Sequence, residues 1–156
     1  MTVDVRPAQA NDLDALVRLE ADGMAADAWG RSVLSGELAA MPASRTVLVV
    51  DLPDEGVAAY GALRVVDATA DVERVVVARS RRRRGLGRLL LQALLDDARA
   101  RGCREVLLEV RVENLAAIAL YEAVGFVEIS RRRGYFAAQT DASVLRLALT
   151  QSDRAS

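Results

Sequence analysis

This chain of 156 residues contains no histidine and a single cysteine. Without histidine there is no Ser/His/Asp or Cys/His nucleophile system. The same shortage leaves no donor set for a structural or catalytic zinc, so no metal is expected. One cysteine excludes an internal disulfide, which suits a reducing, cytoplasmic compartment. Aromatic residues make up only 4% of the chain, and none interleaves with its arginine clusters, which argues against a single-strand nucleic-acid groove. The net charge of −1 gives no general attraction to nucleic acid. No apolar run reaches membrane-spanning length, and the N-terminus turns polar at once, so neither a membrane span nor a signal peptide is expected. Lysine is missing too, and all 21 basic residues are arginine; coding bias explains this better than function does.

What remains is an ordinary globular composition, 52% hydrophobic and 28% charged. Its length fits one domain over residues 1–150, followed by a polar tail at 151–156. Val3 to Arg6 alternates like a strand, and Asn11 is placed to cap a helix to Asp22 with Leu13, Leu16, Val17 and Leu19 inward. A second helix spans Arg31 to Ala40 and stops before Pro42. Thr46 to Asp51 and Val57 to Val66 read as strands joined by a turn at Leu52-Pro53-Asp54-Glu55-Gly56, and Ala70 to Ala78 as a third. A helix over Leu86 to Arg101, a strand over Arg104 to Val110 and a helix over Leu115 to Val124 follow. Strands over Phe126 to Arg132 and Ser143 to Leu149 close the pattern. That order predicts one α/β domain with a mixed sheet.

Chemistry concentrates at the start of the long helix. Arg82-Arg83-Arg84-Gly85-Leu86-Gly87-Arg88 follows the β-branched run Val75-Val76-Val77. Glycines let the backbone come close to a ligand, and a helix N-terminus offers unpaired N–H groups and a positive dipole end. The loop therefore suits a pyrophosphate. It is neither a Walker loop nor a dinucleotide fingerprint, because no Gly-Lys-Ser/Thr follows and Leu90 stands where a third glycine would. With no histidine, a general base must be a carboxylate, a water chain or a substrate group. Glu109 shares a strand face with Leu107 and Arg111, and apolar surroundings there would raise its pKa. Glu73 competes for the same role, and is expected on the face of Val75 and Val77. Either carboxylate could simply pair with an arginine. Cys103, after Gly102 at a strand entrance, reads as a buried small hydrophobe rather than an acyl carrier.

Downstream stand Leu107-Leu108-Glu109-Val110-Arg111-Val112-Glu113-Asn114, Ala117-Ile118-Ala119-Leu120-Tyr121-Glu122 and Val124-Gly125-Phe126. With the glycine loop, these resemble the GNAT acetyltransferase superfamily, and most closely the RimI family of ribosomal-protein-alanine N-acetyltransferases. The likeness is close over residues 72–149 and loose before them. It implies a GNAT-like fold with about seven strands and four helices, in which two splayed strands form an acetyl-CoA cleft. It implies acetyl transfer from acetyl-CoA to a protein N-terminal amine, that of a ribosomal protein included. The loop Arg82 to Arg88 would hold the pyrophosphate, and Val75, Val76 and Val77 would pair with the pantetheine arm and offer an oxyanion N–H. Asn114 would hydrogen-bond the cofactor, Tyr121 would be the acid, and Glu109, favoured over Glu73, the base. Trp29, Tyr135 and Phe136 would shape the acceptor pocket. Ala28 stands where the family has proline, and Gly134, Phe136 and Ala137 also depart, which loosens the expected acceptor choice. Lysine or small-molecule amine acetylation, or a non-catalytic acyl-CoA sensor, remain as alternatives. Oligomeric state is not legible.

Overall fold

In the computed structural model, which describes residues 3–24, 27–135 and 140–149, the elements follow the predicted order. They are β1 (Asp4–Pro7), α1 (Leu13–Gly23), α2 (Arg31–Ala39), β2 (Arg45–Leu52), β3 (Gly56–Val66), β4 (Thr69–Val77), α3 (Leu86–Ala100), β5 (Glu105–Arg111), α4 (Leu115–Val124), β6 (Val127–Arg132) and β7 (Ala142–Ala148). The polar tail lies outside the described residues. Two single 3₁₀ turns, Ala10–Asp12 and Arg79–Arg81, precede α1 and α3.

The strands form one sheet in the order β1-β2-β3-β4-β5-β7-β6. Only β4 and β5 run parallel, joined by the α3 crossover. α3 exists because Leu86, Leu90, Leu91, Leu94, Leu95 and Ala98 recur at helical spacing, and all six are buried. Each buried leucine contributes about 1.5–3 kcal/mol by leaving water. Leu91, Leu94, Leu95 and Ala98 pack with Leu63, Val72, Val106 and Leu108 of the sheet and with Tyr121 and Phe126, while Leu86 and Leu90 pack with Val50, Leu52, Ala58 and Ala59. On the opposite face, Leu16, Leu19 and Leu34 of α1 and α2 pack on Val47, Val49, Tyr60 and Val76. The sheet is thus sandwiched, with α3 and α4 on one side and α1 and α2 on the other. Among the described residues no helix is long and apolar enough to cross a membrane.

One detail of the first helix differs from its sequence signature. Asn11 does not cap α1; it lies inside the 3₁₀ turn. The N-cap of α1 is Asp12, which makes no side-chain capping bond to it; its carboxylate instead closes the 3₁₀ turn, accepting from Gln9 N–H at 2.7 Å. Asp12 is held in turn by Arg6 at 2.9 Å.

Candidate active site

The parallel pair is short. β4 and β5 are in register only from Thr69↔Glu105 to Val72↔Leu108. Beyond that, β4 stays with β3 as far as Val77, and β5 stays with β7 as far as Arg111. The two strands therefore diverge, and a cavity of about 630 Å³ occupies the opening. That volume suits a sizeable ligand arm. Met24, Trp29, Val75, Glu109, Asn114 and Tyr121 are among its lining residues.

Next to the end of β4 lies an anion cradle. Arg83 and Gly85 adopt positive φ, 66° and 77°, and Gly85 is the N-cap of α3 with no side-chain cap. The ladder of α3 begins with Leu89 N–H donating to the Gly85 carbonyl at 3.0 Å. The N–H groups of Leu86, Gly87 and Arg88 lie outside it and face outward with the positive end of the helix dipole. A Cβ on Gly87 would sit 3.5 Å from Leu120 Cδ2 and 3.7 Å from Val77 Cγ2, which puts this turn between α4 and β4. Arg82, Arg83, Arg84 and Arg88 are exposed, and no carboxylate among the described residues pairs with them. Arg81 is already taken, 2.6 Å from Glu55. The cradle thus has amide donors, free guanidinium groups and no side chain filling it, as a pyrophosphate requires.

The α1–α2 side of the opening is charged. Glu20, fully buried, accepts from the Tyr60 hydroxyl and lies 3.3 Å from Arg74. It also accepts from the Trp29 N–H at 2.8 Å. The Arg74 guanidinium lies 4.4 Å over the Trp29 ring and donates to the Asp27 carbonyl. Asp27 Oδ2 accepts from Arg111 Nε at 2.8 Å, which ties the α1–α2 loop to β5. Sequence reasoning placed Trp29 here but missed Glu20, Asp27, Arg74 and Arg111. No local pattern marks pairs that are up to 84 residues apart.

The two candidate bases have different surroundings. Glu109 lies on the partly exposed face of β5, with Val106, Leu108 and Val110 buried behind it, as the alternation predicted. Its neighbours on that face are not only apolar: beside Leu107 and Val144, Arg132 Nη1 donates to Glu109 Oε1 at 2.6 Å. Tyr135 also bonds Glu109, which raises the Tyr135 phenol, and Arg132 stacks over the Tyr135 ring at 4.1 Å. Glu73 is not on the face of Val75 and Val77. The register jumps from Ala62↔Arg74 to Leu63↔Val72, so Glu73 is the extra residue of a β-bulge and turns toward α2. It lies 3.4 Å from Arg45, which also holds Glu37. Burial first, and then Glu37, push the Glu73 carboxyl up to about 7.

Tyr121 is a core aromatic that also lines the cavity. It is 8% exposed and stands edge-on to Phe126 at 5.8 Å. Burial pushes its phenol up to about 12. Asn114 is the N-cap of α4, its Oδ1 accepting from Ala117 N–H at 3.1 Å, and it also borders the cavity. The structure thus brings Trp29, Glu73, Val75, Glu109, Asn114, Tyr121 and Tyr135 to one opening. Phe136 lies outside the described residues. Cys103 is buried in the α3 core and does not line the cavity.

A profile described as the Acetyltransferase (GNAT) family matches residues 16–126. The [ribosomal protein bS18]-alanine N-acetyltransferase of Salmonella typhimurium is 45% identical over 83 residues, covering 53% of this chain and 56% of that protein. The N-alpha-acetyltransferase RimI of Mycobacterium tuberculosis is 53% identical over 53 residues, 34% of this chain and 32% of that one. The chain spans about half the length of the curated relatives it matches. The crystal structure of the Escherichia coli ribosomal-protein-S18-alanine N-acetyltransferase superposes with TM-score 0.86 at 29% identity, covering 96% of each chain. A chain of the NatC complex bound to Gag peptide and CoA gives TM-score 0.82 at 22% identity, covering 96% of this chain and all of that one, and supports the fold alone.

Proposed function

Because this chain belongs to the Acetyltransferase (GNAT) family, we propose that it moves an acetyl group from acetyl-CoA directly to the α-amine of a protein N-terminus. The observation that carries this reading is the opening between β4 and β5, with an anion cradle beside it and carboxylates and a buried phenol lining it. Acetyl-CoA supplies the activated thioester. The amides of Leu86 to Arg88, with Arg82, Arg83, Arg84 and Arg88, bind its pyrophosphate. The unpaired edge of β4 at Val75, Val76 and Val77 pairs with the pantetheine arm and offers an N–H to the acyl oxygen, where negative charge develops. Asn114 hydrogen-bonds the cofactor beside them.

On the acceptor side, Trp29 and Tyr135 shape the pocket. Glu109 takes the proton from the amine, and Tyr121 donates a hydrogen bond to the departing sulfur. Glu73 is the second reading for the base, favoured by burial that pushes its carboxyl up to about 7. The names of the relatives support a peptide that begins with alanine, a ribosomal protein among the candidates. An α-amine also suits a lone carboxylate base. Its pKa near 7.7–8.0, against about 10.4 for lysine, leaves far more of it neutral at pH 7.

Two peptides test the reading, each with one reactive amine: a free N-terminal alanine without lysine, and a blocked N-terminus with one lysine. Incubation with acetyl-CoA should release thiol and add one acetyl mass to the first. Acetylation mainly of the second would favour a lysine acetyltransferase, and binding without thiol release would favour a sensor.

A further inference from the structure

Behind the acceptor side of the opening, two carboxyl groups meet with too few protons to serve them. Glu37, in the last turn of α2, is 9% exposed. Arg45 Nε lies 3.1 Å from Glu37 Oε2 and 3.4 Å from Glu73 Oε1, and donates its single hydrogen to Glu37 Oε1 at 3.2 Å. Glu37 Oε2 and Glu73 Oε1 are both buried and receive no donor from the protein. Glu37 and Glu73 lie within hydrogen-bonding reach of each other. Two bare carboxylate oxygens cannot stably face each other in a buried site, whereas one proton between them satisfies both.

The rest of the surroundings cannot supply that proton. From β2 comes Arg45, and from β3 come Arg64, which acts on Glu73 only through its charge, and Tyr60, whose hydroxyl is committed to Glu20 of α1. From β4, Arg74 is committed to Glu20 and the Asp27 carbonyl. Glu37 lines no part of the cavity, while Glu73 does.

We propose that Glu37 is a positioning residue: it shares one proton with Glu73 and so sets the pH at which the acceptor pocket gains the negative charge of Glu73. The part that concerns the acceptor rests on the function proposed above; the shared proton does not. A protonated pair leaves the pocket with Glu109 and with Asp71, which also lines the cavity, to meet the amine. Once the proton leaves, Glu73 adds a carboxylate beside them. The raised titration of Glu73 has its larger cause in burial and its second in Glu37.

The Glu37→Gln variant isolates the second cause. A glutamine amide donates to Glu73 and favours its ionised form, so Glu73 should titrate at least about one unit lower. Two measurements are made on the full chain, with circular dichroism confirming the fold. One is NMR titration of ¹³C-labelled glutamate carboxyls. The other is kcat/KM for the N-terminal alanine peptide from pH 5.5 to 8.5, taken as the ratio of variant to wild type so that the titration of the peptide itself cancels. The expected ratio is near one at pH 8.5 and rises clearly above one as pH falls below 6, with about tenfold as the ceiling for a one-unit shift, while the Glu73 signal moves to lower pH. If Glu73 titrates at the same pH in both proteins, the shared proton is refuted. If the signal moves but the ratio stays flat, the pair stands and its place in the acceptor pocket is refuted. Should Glu37→Gln not fold, Glu37→Ala provides the second reading. Without the facing carboxyl Glu73 must again titrate lower than in the wild type, and no movement refutes the pair.

Discussion

Replacing Tyr121 with phenylalanine removes one oxygen from the lining of the opening and little else. The ring keeps its edge contact with Phe126. The hydroxyl donates to no described residue, so the protein loses no internal hydrogen bond. Stability should change by less than about 0.5 kcal/mol, which moves the melting temperature by no more than about 2 °C in a chain of this size. The effect on turnover depends on what the phenol does for the departing sulfur. Full proton transfer by a well-matched acid is worth about 10²–10⁴-fold. Burial pushes this phenol up to about 12, which keeps it protonated but makes it a reluctant proton donor. Its contribution should then approach that of a hydrogen bond to a developing anion, about 1.5–3 kcal/mol. At 1.36 kcal/mol per factor of ten, that predicts a fall in kcat of roughly 10- to 150-fold. The dissociation constant for acetyl-CoA should stay within about twofold, because the hydroxyl matters when the thiolate forms rather than when the thioester binds. The ratio of wild-type to variant kcat should also be flat between pH 6 and 9, since the phenol does not ionise there. Stopped-flow detection of released thiol at saturating peptide, with calorimetry for acetyl-CoA, measures each quantity. A variant that keeps kcat within threefold of wild type would show that Tyr121 only packs.

Gly87→Asp should abolish acetyl-CoA binding by calorimetry without unfolding the chain, because a Cβ there makes only ordinary contacts at 3.5 and 3.7 Å while the carboxylate repels the pyrophosphate; a folded variant with wild-type affinity would remove the cradle from its assigned role. Glu109→Gln should depress kcat/KM near neutral pH and recover in part at high pH, where the amine is already deprotonated, and Glu73→Gln should do less; the reverse ranking would move the base to Glu73. The folded-state pKa of Glu73 is raised, so the stability linked to its proton is present in acid and lost as pH rises through about 7. Glu73→Gln should therefore raise the melting temperature at pH 8 more than at pH 5, and an equal gain at both would contradict the shift. Glu20→Ala leaves Arg74 buried without its partner and should cost about 3–5 kcal/mol in chemical denaturation; a loss below 1 kcal/mol would mean that the pair does not hold the α1–α2 loop.

The fold was readable because each element carries its own local signal. The leucine period of α3, the valine run of β4 and the alternation of β5 all follow from side chains that must reach one buried face. The cap of α1 was misplaced because Asn11 has the right side chain in the wrong turn, and Asp12 closes the preceding one. Glu73 was assigned to the wrong face for a similar reason. Counting by twos from Val77 assumes an unbroken strand, and one extra residue opposite the Ala62/Leu63 step inverts everything before it. Glu109 had the right face but the wrong company. Its apolar sequence neighbours point away from it, and its real partner, Arg132, reaches across from β6, which lies beyond β7 in the sheet order. Contacts of that kind depend on strand order, which no local pattern encodes.

The lack of histidine gives these second neighbours their importance. A carboxylate in water has the wrong proton affinity for work near pH 7, so a chain that relies on carboxylates must let the surroundings adjust them. Here the two candidates have been given opposite company. Glu109 receives a short hydrogen bond from Arg132, which fixes its direction on β5. Glu73 is turned by a bulge into a half-buried site and set against another carboxyl, which favours its neutral form. The opening thus presents one carboxyl group oriented by an arginine and one that gains or loses its charge near neutrality. In the proposed reaction, the fairly low pKa of an α-amine eases the loss of its proton to a carboxylate. That supports the proposed choice of an α-amine over a lysine. A lysine ammonium, with a pKa near 10.4, would leave far less neutral amine near pH 7 for the same carboxylates.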